Sequence, residues 1–202
     1  MRRGRNFRMD KSSLRKMLLA RRAALPPEEA ARLSRLIQEH ILASQIWQKA
    51  RQVVLYSAIR NEVDLGLLFA DALAGGKQAL FPRCLPGKTG IMELAACPWP
   101  EAMRPGVFGI LEPDPAICPA IFGADLHPDI VVTPGVGFDR RGGRLGYGAG
   151  YYDRILTGPE FKAAYLVGAA YTLQLVDNVS ADPWDQRLDA VAVEDGIIIC
   201  AG

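Results

Sequence analysis

The run Arg144-Leu145-Gly146-Tyr147-Gly148-Ala149-Gly150-Tyr151-Tyr152-Asp153-Arg154 carries the densest potential chemistry in this chain. Glycine stands at alternate positions: Gly146, Gly148 and Gly150. Such spacing lets a backbone take positive φ and turn successive N–H groups toward one point, a cradle for an anion. A helix predicted to start near Tyr151 would add the positive end of its dipole. Arg140, Arg141 and Arg144 crowd the same segment. Asp153 falls in the first turn of that helix, where an acid either compensates the dipole or supplies a hard oxygen for Mg²⁺ beside phosphates. These features point to a nucleotide-dependent enzyme.

Two other phosphate-site patterns fit poorly. A dinucleotide fingerprint needs glycine at position 151, which is Tyr151, and belongs on the first βα turn with an acid about 20 residues on. Gly87-Lys88-Thr89 looks like the tail of a P-loop, but the opening glycine would fall on Pro82, and a strand rather than a helix is expected at Ile91–Ala95. A nucleoside triphosphate on the later loop is the better reading.

Other elements must position that loop. Ile130–Thr133 reads as a buried strand leading into it. Lys11–Ala24 reads as a helix with Leu14, Met17 and Leu18 on one stripe, and Lys11, Arg15, Lys16, Arg21 and Arg22 on a face expected to be solvated. Pro26-Pro27-Glu28-Glu29 opens a second helix that runs to about Trp47. Val53–Tyr56, a helical stripe from Leu65 to Leu73, and Ala79–Phe81 form a βαβ unit, so a parallel sheet is expected. Prolines at 98, 100, 105, 113, 115 and 119 exclude regular structure from the middle segment. Within it, Phe108 and Ile110 sit on a loop apolar enough to cover a site or to be pinned to the core. Tyr165–Ala169, Ala190–Val193 and Ile197–Cys200 read as further strands, the last two joined at Asp195-Gly196. Asp182-Pro183-Trp184-Asp185-Gln186 is turn chemistry.

The chain has 202 residues, enough for one domain with a substantial core. A net charge of +2 argues against a nucleic-acid-binding surface. No apolar run reaches the ~18 residues needed to span a bilayer. Cys84, Cys97, Cys118 and Cys200 form no C-x-x-C pair, and only His40 and His127 could join them, so a zinc cluster is not expected. The cysteines read as reduced thiols of a cytoplasmic protein. Residues 1–9, with Arg2, Arg3, Arg5 and Arg8, read as a disordered basic arm and not as a secretory signal.

The glycine run, preceded by Pro134-Gly135-Val136-Gly137-Phe138-Asp139, resembles the signature of the 5-formyltetrahydrofolate cyclo-ligase family, also called 5,10-methenyltetrahydrofolate synthetases. Lys11-x-x-x-Arg15, Glu62, Phe108-Gly109-Ile110-Leu111-Glu112-Pro113 and Arg187-Leu188-Asp189 are similar to the family's other segments, so the likeness covers nearly the whole chain from Lys11. The resemblance implies an ATP- and Mg²⁺-dependent cyclisation of 5-formyltetrahydrofolate. It implies catalytic roles for Arg144 and Asp153. Lys11, Arg15 and the loop from Arg144 to Tyr152 would hold ATP. Ser57, Glu62, Phe108 and Tyr152 would touch the folate. Asp153 and Asp189 would hold Mg²⁺. Ala149 departs from relatives with Lys or Gly there, so Arg144 and the first helix must supply more of the charge. The partners expected are small molecules alone, in a monomer or homodimer. A phosphotransferase or ligase on another ring, and a non-catalytic binding paralogue, are the competing readings.

The fold class expected is α/β: a single three-layer domain over residues 10–202, with a mainly parallel (mixed) Rossmann-like sheet and two N-terminal helices packed on it.

Overall fold

The computed structural model describes residues 10–180, 182 and 185–201. The basic arm at 1–9 therefore lies outside the described residues.

Helix α1 spans Lys11–Ala23, and Asp10 caps it by accepting from the Ser12 and Ser13 N–H groups. Helix α2, Pro27–Ala43, opens on the expected Pro and paired Glu. It stops sooner than its apolar stripe suggests. Ser44 leaves the helical region and its side chain caps a separate short helix, α3, Gln45–Lys49. Then follow β1 (Gln52–Val54), α4 (Gly66–Ala74) and β2 (Gln78–Cys84), with β1 and β2 parallel as the βαβ reading requires. Strand β3 (Met92–Ala96) returns antiparallel to β2.

The proline-rich middle segment is more regular than expected. Strands β4 (Met103–Pro105) and β5 (Leu111–Pro113) form a hairpin apart from the main sheet. Its prolines sit at strand ends, where a missing N–H costs no central ladder bond. The edge strand β6 is Ala120–Ile121. After β7 (Ile130–Thr133), β8 (Gly137–Phe138) and β9 (Arg144–Leu145) make a two-stranded ribbon. Helix α5 (Tyr151–Ile155), β10 (Tyr165–Ala169), β11 (Ala190–Val193) and β12 (Gly196–Ile199) complete the chain.

The main sheet runs β12-β11-β10-β7-β1-β2-β3-β6. The run from β11 to β2 is parallel and the flanking strands are antiparallel, which is the mixed sheet expected. Strand residues alternate between two cores. Val53, Ala79 and Val132 join α2 and α4 on one face, while Val54, Leu80 and Val131 join Leu156 and Phe161 on the other. That is a three-layer α/β domain. Helix α1 stands apart: its Leu18 packs with Val136, Leu145 and Val179 around the β8–β9 ribbon, while α2 covers the sheet. Among the described residues no helix is long and apolar enough to cross a membrane.

Candidate active site

Parallel strands deliver their C-terminal ends to one edge of a sheet, and ligands bind there. In this chain β1 runs into Tyr56 and Ser57, β2 ends at Cys84, and β7 runs into Pro134. All four residues line one cavity of about 590 Å³, ordinary for a small-molecule site.

The β8–β9 ribbon sets up one wall. Buried Asp139 accepts from the Arg141 and Gly143 N–H groups at 2.9 Å and from Val179 N at 2.6 Å, which shapes the turn. Gly142, at φ +81°, has no room for a β-carbon against Leu188. The turn leaves Arg140 and Arg141 exposed and outside the cavity wall, contrary to their expected part in a phosphate cradle. Arg144 alone of the three points inward. Its guanidinium is buried, donates to Asp153 Oδ1 at 2.6 Å and reaches Pro134 O at 3.4 Å. Its Nε atom has no hydrogen-bond partner among the described residues.

Between Arg144 and Asp153 the loop has left-handed backbone at Gly148 and Gly150 (φ +105° and +68°), while Gly146 lies outside that region. Glycine is conformationally required at two of the three alternate positions, not all three. Helix α5 is only five residues long, so the dipole contribution expected from it is dropped. Arg154 ties the loop to the β2–β3 turn, donating to Ala149 O and, at 2.7 Å, to Gly90 O.

Helix α1 supplies the second wall, and here the solvated-face expectation holds for the exposed Lys16 and Arg21 but gives way for Lys11, Arg15 and Arg22. Lys11, Arg15, Leu18 and Arg22 lie 4, 3 and 4 positions apart, on one stripe. Lys11 Nζ lies 2.6 Å from Asp182 Oδ2 and 3.3 Å from Asp185 Oδ2. Arg15 Nε donates to Gly146 O at 2.8 Å. Arg22 is 1% exposed; it donates to Arg60 O, Gly135 O and the Tyr147 hydroxyl. A buried guanidinium needs such acceptors and a nearby countercharge. The countercharge is Glu62, whose Oε1 lies 3.7 Å from Arg22 Nη1.

Glu62 stands on the loop after β1. Its Oε2 accepts from Ile59 N at 3.0 Å and its Oε1 from the Tyr147 hydroxyl at 2.8 Å. Burial raises its pKa above the ordinary carboxylate value, against the pull of these bonds and of Arg22. Burial likewise pushes Tyr147 up to about 12. Tyr152 packs its ring 5.3 Å from the Arg144 guanidinium, and its buried hydroxyl has no hydrogen-bond partner among the described residues. Ser57 faces the Met103 sulfur. Phe108, at the tip of the β4–β5 hairpin, is 73% exposed and left-handed at φ +66°.

Lys11, Arg15, Ser57, Glu62, Phe108 and every residue from Arg144 to Asp153 thus line the same cavity. Asp189 does not. It precedes β11 at the opposite, N-terminal edge of the sheet, is exposed, and accepts from Leu166 N at 2.7 Å. Strand direction thus places it apart from Asp153, its expected partner around a metal. The late acids that do reach the cavity are Asp182 and Asp185, expected from the sequence only as turn residues. Arg22 and Arg60 were also missed. The α1 spacing was the available signal for Arg22. Among the described residues no group of three or more His, Cys, Asp or Glu side chains could hold a metal.

A sequence model of the 5-formyltetrahydrofolate cyclo-ligase family matches residues 8–194. The mouse 5-formyltetrahydrofolate cyclo-ligase is 29% identical over 200 residues, covering 92% of this chain and 94% of the relative. The Haemophilus influenzae cyclo-ligase is 30% identical over 173 residues, covering 85% and 91%. The solved structure of the 5,10-methenyltetrahydrofolate synthetase of Aquifex aeolicus superposes with a TM-score of 0.81 at 34% identity, over 96% of this chain and 94% of that one. A match over nearly all the described fold and its cavity walls leaves one assignment: the chain belongs to the 5-formyltetrahydrofolate cyclo-ligase family.

Proposed function

We propose that this chain catalyses the ATP-dependent cyclisation of 5-formyltetrahydrofolate to 5,10-methenyltetrahydrofolate. The formyl oxygen attacks the γ-phosphorus, the bond to the β-phosphate oxygen breaks, and ADP leaves. The second folate nitrogen then adds to the activated formyl carbon, loses its proton, and the carbon–oxygen bond breaks to release phosphate. The steps require no side-chain nucleophile; positioning and charge neutralisation are the protein's share.

The observation that carries this reading is the shared cavity: the Arg144–Asp153 loop and buried Glu62 face one space. Arg144, Lys11 and Arg15 supply cationic charge for a triphosphate, with backbone N–H groups of the glycine loop beside them. Glu62 is an acceptor suited to the donor-rich edge of a pterin. Tyr152 and Phe108 offer rings to pack on it. Mg²⁺ characteristically enters such sites with the phosphates, held by one or two carboxylates and waters. Asp153, Asp182 and Asp185 are cavity acids that fit this mode, since each keeps one carboxylate oxygen beyond the one engaged by Arg144, by Lys11, or by Lys11 and the Asp182 N–H. When bound, the metal would offset charge on the transferring phosphoryl group. Four free thiols suit a reducing, cytoplasmic setting.

The test is direct. Purified protein with 5-formyltetrahydrofolate, ATP and Mg²⁺ is expected to develop the methenyl chromophore, with ADP and phosphate released in equal amount. ATP binding without any absorbance rise would overturn the proposal.

A further inference from the structure

Tyr147 belongs to two structures at once. Its backbone is part of the glycine loop, one residue from the left-handed Gly148, and the preceding carbonyl, Gly146 O, is held by Arg15. Its hydroxyl, by contrast, lies 2.8 Å from Glu62 Oε1, on the loop after β1. Two cations lie close to the ring, the Arg22 guanidinium at 5.8 Å and that of Arg60 at 5.5 Å from its centre.

The direction of the hydrogen bonds is fixed by chemistry. Arginine has donors and no acceptor. The Tyr147 oxygen therefore accepts from Arg22, and its one proton is committed to Glu62. The result is a one-way relay: Arg22 to Tyr147 to the Glu62 carboxylate. Among the described residues no second hydrogen bond backs it up at Oε1; Arg22 Nη1 stands 3.7 Å away, beyond hydrogen-bond distance. Tyrosine has only two side-chain torsions, so its hydroxyl follows its backbone closely. A shift of the glycine loop thus moves the group that orients Glu62, and ordering Glu62 orders the loop.

Resting on the assignment of ATP to the glycine loop and of the pterin to Glu62, we propose that Tyr147 is a positioning residue that couples the two substrate subsites. Each substrate prepares the binding site of the other through the Tyr147 hydroxyl. Reciprocity follows: folate tightens nucleotide by the factor by which nucleotide tightens folate.

Isothermal titration with a non-hydrolysable ATP analogue, with and without saturating 5-formyltetrahydrofolate, measures that factor. Folate is expected to tighten the analogue by about 5-fold or more in the wild type. In Tyr147→Phe the factor, taken as that variant's own ratio of affinities with and without folate, is expected to fall to within about 2-fold of unity. Because the link runs through Glu62, adding Tyr147→Phe to Glu62→Gln should leave the coupling factor where Glu62→Gln alone sets it. Both variants are near-isosteric, and matching thermal transitions exclude misfolding. A wild-type factor of one, a factor retained in Tyr147→Phe, or an additive double variant each overturns the link. If the wild type binds both ligands and turns over while the link fails, the proposed activity stands. If the wild type binds neither, both fall.

Discussion

Arg144 donates to Asp153 across 2.6 Å, and that ion pair pins the two ends of the glycine loop to each other. The Arg144 side chain is 4% exposed and that of Asp153 24%, so the arginine depends on the pair more than the aspartate does. Asp153→Asn keeps an acceptor but removes the countercharge. A hydrogen bond to a charged group is worth about 1.5–3 kcal/mol. Turnover is expected to drop by about tenfold or more and Tm by a few degrees, since ~1 kcal/mol shifts Tm by roughly 2–4 °C in a chain of this size. Steady-state kinetics beside calorimetry checks this; undiminished turnover would remove Asp153 from the reaction.

The proposed role of Glu62 predicts an acid limit to activity. Burial raises its pKa, and Arg22 from α1, Arg60 from its own loop, the Ile59 N–H and Tyr147 counter that rise; Tyr56 and Tyr152 also face it. On the proposed reading the pterin is held by the carboxylate form, so kcat/KM for folate is expected to fall as pH falls through a limb above the ordinary carboxylate value. Tyr147→Phe removes a bond to the charged form and should move that limb higher still. The folded chain holds this proton more tightly than the unfolded one. The Glu62 contribution to stability is thus greatest below the ordinary value and declines as pH rises through the raised one. Glu62→Gln should abolish that slope and weaken folate more than ATP. Equal loss of both ligands would contradict the pterin assignment.

How much of this was legible depended on which forces acted locally. Apolar runs such as Ile130–Thr133 announced a strand because both faces of a parallel strand are buried. Gly148 and Gly150 announced a loop because backbone conformation demands glycine there. Arg22 did not announce itself as buried: its acceptors, Arg60 O and Gly135 O, lie 38 and 113 positions away, and no local pattern encodes them. The β4–β5 hairpin hid among prolines because Met103 pairs with Pro113 at its open end, where proline is tolerated. Ser44 ended α2 through capping, while apolar spacing alone continued the helix.

Phe108 holds a left-handed backbone without being glycine, a conformation worth about 1–2 kcal/mol of strain. With 73% of its surface exposed, it has little core packing to offset that cost. Phe108→Gly is therefore expected to leave Tm unchanged or raise it slightly. If the ring packs on bound folate, KM for folate should rise about 2- to 10-fold, the equivalent of a ring contact worth 0.5–1.5 kcal/mol. A Tm drop with unaltered KM would assign Phe108 to the fold instead.

Asp185 and Asp189 are four residues apart and sit at opposite ends of β11's approach, so they separate site from scaffold. Asp185 faces the cavity beside Lys11, whereas Asp189 accepts from Leu166 N and helps hold β11 against β10. Asp189→Asn should leave kcat/KM within about 2-fold and lower Tm by a few degrees, the effect of weakening one backbone-capping bond worth about 1 kcal/mol. Asp185→Asn should raise both KM for ATP and the Mg²⁺ concentration needed for half-maximal rate. Lys11 would also lose one of its two carboxylates, leaving Asp182 as its partner. The decisive comparison is the Mg²⁺ titration of the two variants side by side. A shift confined to Asp185→Asn follows from the direction of the sheet. A shift confined to Asp189→Asn would mean that the late loop folds back onto the other edge when nucleotide binds, and would return the metal to the residue the signature first suggested.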